Sequence, residues 1–305
     1  MPASRAGLGA VHWEILGVMH RSDPVDGFRL AYDRAGRGTA VLLLHGWPGD
    51  RTDYRAVVPQ VSVAAEVIVP DLRGFGESDR HPAEPVSQYT AAAQARSVIA
   101  LIEELELGRP VLAGYDIGSR IAQAVARERP DLVRELVVSP PVPGIGDRIL
   151  SPQAQLEFWY QPFHQLALAT QLIDGQPDMV RAYLRHFWSH WSGPDFELDH
   201  EHLEHLVSMY GRPGAFAASV AWYRAGAGSV ATSVAERVPA PAARLAVPTT
   251  VLWPPHDPLF PVQWSDRLDE FFTDARLTCL DGGGHFTPLE RPHDFAAAVT
   301  AAAAR

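Results

Sequence analysis

Short apolar runs recur along this chain, and most are followed by a loop and then by a stretch with helical spacing. A run of three to five apolar residues that ends in polar residues or glycine is typical of a strand buried on both faces of a sheet. Strands that alternate with helices predict an α/β fold with a mostly parallel sheet flanked by helices. Such strands are predicted at 40–44, 66–70, 111–113, 136–138, 250–253 and 276–280, and an alternating run predicts another at 28–34.

The pattern changes between residues 144 and 246, where short buried β runs disappear. Aromatic and histidine-rich helical pieces replace them at 158–160, 183–191 and 216–223. Open α/β sheets bind ligands beyond the carboxyl ends of their strands, so an insertion at this point predicts a helical cap over a binding site. The predicted division is an α/β core of residues 1–143 and 247–305 with an inserted cap of residues 144–246.

Composition limits the classes of function. Of the 305 residues, 47% are hydrophobic and 20% are charged, which is the balance of a chain that packs one large domain or a core with an inserted lobe. All 26 cationic side chains are arginine, so there is no lysine for a Schiff base or a P-loop. The net charge of −10, without a basic run, disfavours a nucleic-acid partner. Cys279 is the single cysteine, which excludes an intramolecular disulfide.

The sequence predicts no membrane span and no secretory signal. No segment approaches the roughly 18 consecutive apolar residues that a bilayer-spanning helix needs. His12 and Glu14 interrupt residues 1–16, where a secretory signal normally keeps an uncharged apolar stretch. The predicted location is therefore the cytoplasm.

The segment Gly114-Tyr-Asp-Ile-Gly118 joins a predicted strand to a predicted helix at 119–129. A strand that turns sharply into a helix strains the central residue, here Asp116, and flanking glycines relieve the crowding. This arrangement, a nucleophile elbow, presents one side chain above the sheet. A carboxylate with an ordinary pKa of about 3.9 is ionised at neutral pH without help from a base. It suits attack on a saturated carbon that bears a leaving group, which gives a covalent alkyl ester.

Five motifs give residues 28 to the end of the chain a resemblance to the α/β-hydrolase family. The branch that it resembles has an aspartate nucleophile and contains epoxide hydrolases and haloalkane and haloacid dehalogenases. The motifs follow the family's order: His45-Gly-Trp-Pro-Gly49, the run from Asp71 to Asp79, the elbow, Asp257 after a strand, and Gly283-Gly-His285. The resemblance implies an α/β-hydrolase fold with a catalytic triad in the order nucleophile, acid, base.

The resemblance implies a role for each member of the triad. Asp116 is the nucleophile that forms the ester. His285 is the base, because an ordinary imidazole pKa of about 6.5 lets it take a proton from water at neutral pH. Asp257 orients the imidazole, as the third member of a triad does. Some relatives place this acid after the preceding strand, but residues 137–141 contain no carboxylate.

The second step needs donors for the oxyanion that forms on the ester carbonyl. The family supplies backbone N–H groups, which the resemblance assigns here to Trp47 and Ile117. Trp47 precedes Pro48, so this peptide bond is a candidate for the cis form.

The residue after the nucleophile bears on the leaving group. A departing halide needs N–H or cationic donors, so haloalkane dehalogenases usually place Trp there and fluoroacetate dehalogenases place Arg. This chain has Ile117, whose side chain donates no hydrogen bond. Epoxide hydrolases use two tyrosines that hydrogen-bond the ring oxygen and protonate the alkoxide as it forms. Residues 158–163 and 221–224 resemble the segments that carry them, which implies Tyr160 and Tyr223.

The predicted activity is opening of an epoxide to a vicinal diol, with water as the second reactant and no cofactor. The aromatic composition of the predicted cap favours an apolar small-molecule epoxide of moderate size. A monomer or a homodimer is expected, without a nucleic-acid or membrane partner. The predicted pocket residues are Trp47, Ile117, Trp159, Phe163, Trp222 and Phe286.

Two other functions stay open, and a metal site is not expected. A haloacid or haloalkane dehalogenase would use the same triad, with Arg120 gripping the carboxylate of a haloacid, and a ligand-binding member would keep the pocket without hydrolysis. His186 and His190 are four residues apart but lack the glutamate of a zinc-protease helix. His200 and His202 lie in an acidic run, which predicts that they face water.

Overall fold

An eight-stranded sheet is the centre of the computed structural model, which describes residues 19–82, 85–226 and 230–305. The strands are β1 (His20–Arg21), β2 (Ala31–Gly36), β3 (Thr39–Leu44), β4 (Ala65–Pro70), β5 (Val111–Gly114), β6 (Glu135–Val138), β7 (Thr249–Trp253) and β8 (Ala275–Cys279). Their order is β1-β2-β4-β3-β5-β6-β7-β8, with antiparallel pairing at β1–β2 and β2–β4 and parallel pairing elsewhere. The predicted mostly parallel sheet is confirmed. The prediction that residues 1–16 are not a secretory signal concerns residues outside the described part of the chain.

The antiparallel edge begins later than the alternating pattern predicts. The pattern predicts a strand at 28–34, whereas β2 covers Ala31–Gly36. Phe28 forms an isolated bridge that closes a turn at Asp26 and Gly27, whose φ angles of +52° and +84° are left-handed. Asp-Gly is a common pair in such turns, so the chain reverses here between β1 and β2.

Fifteen α-helices accompany the sheet in the described part of the chain. They are α1 (Val58–Val61), α2 (Pro85–Gln88), α3 (Ala91–Glu104), α4 (Asp116–Glu128), α5 (Pro152–Glu157), α6 (Tyr160–Gln165), α7 (Ala167–Ile173), α8 (Pro177–His190), α9 (His200–Tyr210), α10 (Ala215–Ser219), α11 (Ala221–Arg224), α12 (Val230–Ala235), α13 (Leu268–Phe271), α14 (Thr287–Glu290) and α15 (Pro292–Ala304). Both α4 and α15 pack on β3, β5 and β6, with α3 beside α4 and α1 beside α15. None of the described helices is long and apolar enough to cross a membrane.

Eight of these helices, α5 to α12, lie between β6 and β7. We call residues 144–246 the helical segment. Its described residues form no strand and contribute only an isolated bridge, from Leu245 to Phe272. The predicted change from alternating elements to helices is therefore observed, and the division into a core and a cap stays a prediction.

The histidines of α9 do not all face water, so that prediction is wrong for His202. His200 is exposed, but His202 is only 3% exposed and its Nε2 lies 3.2 Å from the Asp53 carboxylate. One turn further along α9, His205 Nε2 hydrogen-bonds Asp50 at 2.7 Å. The reason is that α9 packs on the loop after β3, so helix positions three residues apart turn toward the same buried carboxylates.

This buried group is a hydrogen-bonded anchor for α9. Ligand atoms of Asp50, Asp53 and His202 come within 4.8 Å of one another, the spacing of a metal site. Three of the four carboxylate oxygens, however, already accept hydrogen bonds from Thr52, His205 or Tyr115. The helical segment is thus tied to the loop that follows Trp47, and the sequence pattern gave no sign of this contact.

Candidate active site

The predicted elbow is present between β5 and α4. Asp116 has φ = +50°, a left-handed conformation that residues other than glycine rarely adopt. A Cβ atom on Gly118 would lie 2.0 Å from the Leu44 carbonyl oxygen, and one on Gly114 would lie 2.7 Å from the Gly118 carbonyl carbon. Glycine is therefore required at both flanking positions, and the tight turn places the Asp116 carboxylate at the start of α4.

The three residues of the predicted triad lie together. His285 Nδ1 is 2.9 Å from Asp257 Oδ2, and His285 Nε2 is 3.4 Å from Asp116 Oδ2. The second oxygen of Asp257 accepts the Leu259 N–H at 2.8 Å, which fixes the carboxylate. Asp116, Asp257 and His285 are all buried. The imidazole is therefore held between two carboxylates, one at each ring nitrogen.

The charges around His285 set its protonation state. Burial alone would lower the pKa of His285, but the charges of Asp257 and Asp116 and the hydrogen bonds to them raise it to about 10. At neutral pH the imidazole is therefore a cation that lies between the two carboxyl groups. Neutralising either carboxylate would lower the pKa of His285 again.

The backbone N–H of Trp47, one of the two predicted oxyanion-hole groups, points at the Asp116 carboxylate. It donates to Asp116 Oδ1 at 2.7 Å, and the bond from Trp47 to Pro48 is cis. Ile117 follows Asp116 as the second residue of α4 and is buried beside it. The Trp47 indole stacks on Tyr160, with ring centroids 5.8 Å apart and planes inclined by 2°.

The two predicted tyrosines meet above Asp116, although they lie 63 residues apart in the chain (223 − 160). Their ring centroids are 5.6 Å apart and their planes are perpendicular. Both side chains are buried and line the same cavity as the Asp116 carboxylate. Burial raises the pKa of each phenol, with a further contribution from the negative charge of Asp116. Tyr160 and Tyr223 are therefore neutral hydrogen-bond donors at physiological pH.

The space that a water molecule can occupy in the cavity is only about 20 Å³. A substrate therefore requires the lining side chains to move. Ile117 and Trp222 line it as predicted. Five further apolar lining residues were not predicted: Pro141, Ile145, Ile149, Phe158 and Phe260. Phe260 could have been predicted, because it lies only three residues after Asp257 in the chain.

Trp47 and three other predicted pocket residues lie outside this cavity lining. Trp159 is 40% exposed, because it precedes Tyr160 and neighbouring helix positions point about 100° apart. Phe163 is half-buried and packs on Trp159. Phe286 is buried and stacks on Trp188, with ring centroids 3.9 Å apart.

Arg120 lines the cavity together with Asp116. It is half-buried, and burial lowers the pKa of its guanidinium. No hydrogen bond or ion pair joins its side chain to the residues that the structure describes. The nearby carboxylate of Glu236 instead accepts N–H groups from Gly144 and Gly146. A cation with free donors therefore faces the cavity.

Comparisons with known proteins agree with this geometry. A family model described as alpha/beta hydrolase fold matches residues 39–292. The soluble epoxide hydrolase of Corynebacterium sp. (strain C12) is 28% identical over 284 residues, which cover 90% of this chain and 93% of the relative. The solved structure of epoxide hydrolase CorEH without ligand has a TM-score of 0.80 at 24% identity and covers 94% of this chain and 98% of its own.

A haloalkane dehalogenase also has this architecture. The DbeA-M1 loop variant from Bradyrhizobium elkanii has a TM-score of 0.77 at 21% identity and covers 94% of this chain and 96% of its own. The two structural likenesses show the fold and do not separate the two reactions. The family match over most of the length, together with the elbow and the sheet order, establishes that this chain belongs to the alpha/beta hydrolase fold family.

Proposed function

We propose that this chain hydrolyses an epoxide to a vicinal diol through a covalent ester on Asp116. The observation that carries the proposal is the cavity that Asp116 shares with two neutral, buried tyrosines. A carboxylate nucleophile opposite two phenol donors suits a substrate whose electrophilic carbon carries the oxygen that leaves it. The Corynebacterium relative is named a soluble epoxide hydrolase, and its alignment covers 90% of this chain. This similarity supports the same reaction.

In the first step a carboxylate oxygen of Asp116 attacks one epoxide carbon. The carbon–oxygen bond of the ring breaks, and the electron pair goes to the ring oxygen. Tyr160 and Tyr223 hydrogen-bond this oxygen, and one of them donates the proton that turns it into a hydroxyl. The step leaves a hydroxyalkyl ester on Asp116 and a tyrosinate, which regains its proton from the His285 cation.

In the second step neutral His285 takes a proton from water, and the hydroxide attacks the ester carbonyl of Asp116. The Trp47 and Ile117 N–H groups stabilise the oxyanion. When the intermediate collapses, the diol oxygen leaves with the proton of the added hydroxyl, so Asp116 returns as a carboxylate and His285 as a cation. Esterification removes one of the charges that raise the pKa of His285, which makes the imidazole a base only when a base is needed.

The remaining features of the proposal concern the whole protein. Residues 1–143 and 247–305 form the catalytic core, and residues 144–246 form a cap that supplies both tyrosines. The substrate is a small apolar epoxide, and water is the second reactant without a cofactor. The protein acts in the cytoplasm as a monomer or a homodimer.

Trapping of the ester tests the proposal. The His285→Gln variant, incubated with styrene oxide, should gain the mass of one substrate molecule in an intact-mass spectrum, because alkylation proceeds while water is not activated. Asp116→Asn is the matched control and should gain nothing. If a broad panel of epoxides leaves no adduct on His285→Gln, the ester mechanism is wrong and a non-hydrolytic ligand-binding role gains support.

A haloacid dehalogenase is the second candidate. The Arg120 guanidinium in the cavity favours it, because no described residue hydrogen-bonds or pairs with this group. The same Asp116 attack would then displace a halide while Arg120 binds the substrate carboxylate. Halide release from a 2-haloacid, measured beside diol formation from styrene oxide, separates the two reactions. Stoichiometric halide without any diol would replace the epoxide hydrolase proposal with this one.

A further inference from the structure

Three consecutive backbone N–H groups around His285 all have fixed acceptors. The Gly284 N–H donates to Glu290 Oε2 at 2.7 Å, and the Phe286 N–H donates to Glu290 Oε1 at 2.9 Å. Between them, the His285 N–H donates to the Trp191 carbonyl at 2.8 Å. The residues on both sides of the imidazole are therefore held by a single carboxylate, six and four residues away along the chain.

The same carboxylate also holds the helical segment. Glu290 Oε2 accepts a second N–H, from Gly193, at 2.7 Å. The two backbones are in direct contact here, since a Cβ atom on Gly284 would lie 2.3 Å from the Gly193 nitrogen. The position of the His285 loop is thus defined against the end of α8 as well as within the core.

We propose that Glu290 is a positioning residue for His285, which holds the backbone on both sides of the imidazole so that Nε2 reaches the water that hydrolyses the ester. The inference rests on the proposed function. Asp257 fixes the ring through Nδ1, but a hydrogen bond to one ring atom leaves the Cα position free. Glu290 removes that freedom through the two flanking amides, as the outer hydrogen-bond partners of a catalytic group do.

Substitution by glutamine tests this role with little change in shape. An amide at 290 has one acceptor oxygen instead of two and places an NH₂ group against at least one backbone N–H. The His285 loop should shift, and a misplacement of about 1 Å can cost about a hundredfold in rate. Because His285 acts only after the epoxide ring has opened, Glu290→Gln should slow ester hydrolysis by about ten- to a hundredfold and leave alkylation unchanged.

Steady-state kinetics with styrene oxide give a specific signature of that defect. With a slower second step, kcat and KM should fall together while kcat/KM stays within about twofold of the wild-type value. Intact-mass spectra during turnover should show the ester accumulating on Glu290→Gln. Asp174→Asn is the matched control, because Asp174 also accepts two backbone N–H groups, from Gly214 and Ala217, and should leave all three kinetic constants unchanged.

A purely structural role predicts another pattern. Loss of folded protein would lower kcat and kcat/KM equally with KM unchanged, and no ester would accumulate, which would overturn the inference. The rate at which the ester disappears once substrate is exhausted belongs to the alkylated molecules alone, so it stays informative even if part of Glu290→Gln is unfolded. If the wild-type enzyme forms no diol, the proposed function fails, whereas an active wild type with normal ester hydrolysis in Glu290→Gln refutes only the role of Glu290.

Discussion

At the scale of single residues, Asp116 combines a strained backbone with the carboxylate that we propose as the nucleophile. Its φ of +50° costs about 1–3 kcal/mol, although aspartate tolerates this region better than most residues. The strain persists because β5 and α4 fix both ends of the turn. Its consequence is that the carboxylate stands clear of the sheet, with Trp47 N–H on one oxygen and His285 near the other. A carboxyl oxygen is thereby presented to the cavity.

The two tyrosines should act in the first step alone. Tyr160→Phe and Tyr223→Phe should each slow alkylation by about ten- to a hundredfold, because one phenol remains to protonate the alkoxide, and the double variant should lose more. The measurement is the rate at which adduct forms on these variants in a His285→Gln background. Tyr183→Phe is the matched control, because the Tyr183 hydroxyl binds His164 Nε2 rather than the cavity.

If Tyr160→Phe and Tyr223→Phe alkylate as fast as the control, the phenols are packing groups. The ring oxygen would then be protonated from elsewhere. Rings that merely pack the cavity would change little on loss of the hydroxyl, because the buried aromatic contacts remain. The comparison therefore separates a chemical role from a packing role at the same positions.

At the scale of elements, the elbow depends on the contact between α4 and β3. Gly118→Ala should lower the free energy of unfolding by about 3 kcal/mol or more, because its Cβ would meet the Leu44 carbonyl at 2.0 Å and no rotamer relieves a backbone contact. Gly108→Ala is the control: its φ is +65° but no atom lies within 4 Å of the added carbon, so about 1 kcal/mol is expected. Urea denaturation measures both. Equal losses would mean that the elbow has room to relax.

The parts of the site that follow from local pattern could be predicted from the sequence. Apolar runs identify the parallel strands, and the carboxyl ends of parallel strands meet at one edge of a sheet. Asp116 follows β5, Asp257 follows β7 and His285 follows β8, so their meeting follows from topology. The elbow itself is five consecutive residues with a known geometric demand.

The rest depends on packing between distant segments. His202 and Glu290 gave no signal, because their partners Asp53 and Gly193 lie about 150 and 100 residues away. The cavity lining depends on helix phase: Trp159 and Tyr160 are adjacent aromatics, and only the docking of α6 decides which one points inward. Residue type and spacing do not contain that information.

At the scale of the whole molecule, the site draws its two halves from different parts of the chain. The core strands supply the triad, and the helical segment supplies Tyr160, Tyr223 and the Trp191 carbonyl that holds the His285 backbone. Contacts from α9 to the loop after β3 and from Glu290 to Gly193 fasten these parts together on two sides. Both parts must therefore fold before Asp116, the two phenols and His285 come together.

The charge of His285 should appear in the pH dependence of global stability. Its pKa is raised to about 10 in the folded protein and is about 6.5 when unfolded, so the folded state binds the proton more tightly. This contribution is complete below about pH 6.5 and is lost as the pH rises toward 10. His285→Gln should therefore be less stable than the wild type by a few kcal/mol at pH 6.5, and the difference should shrink by pH 9.5. Urea denaturation of both proteins at these pH values measures the difference, in which the titration of other groups cancels.

A difference that stays constant with pH would mean that the imidazole is not held as a cation between Asp116 and Asp257. The proposed change of His285 from acid to base on esterification would then lose its physical basis.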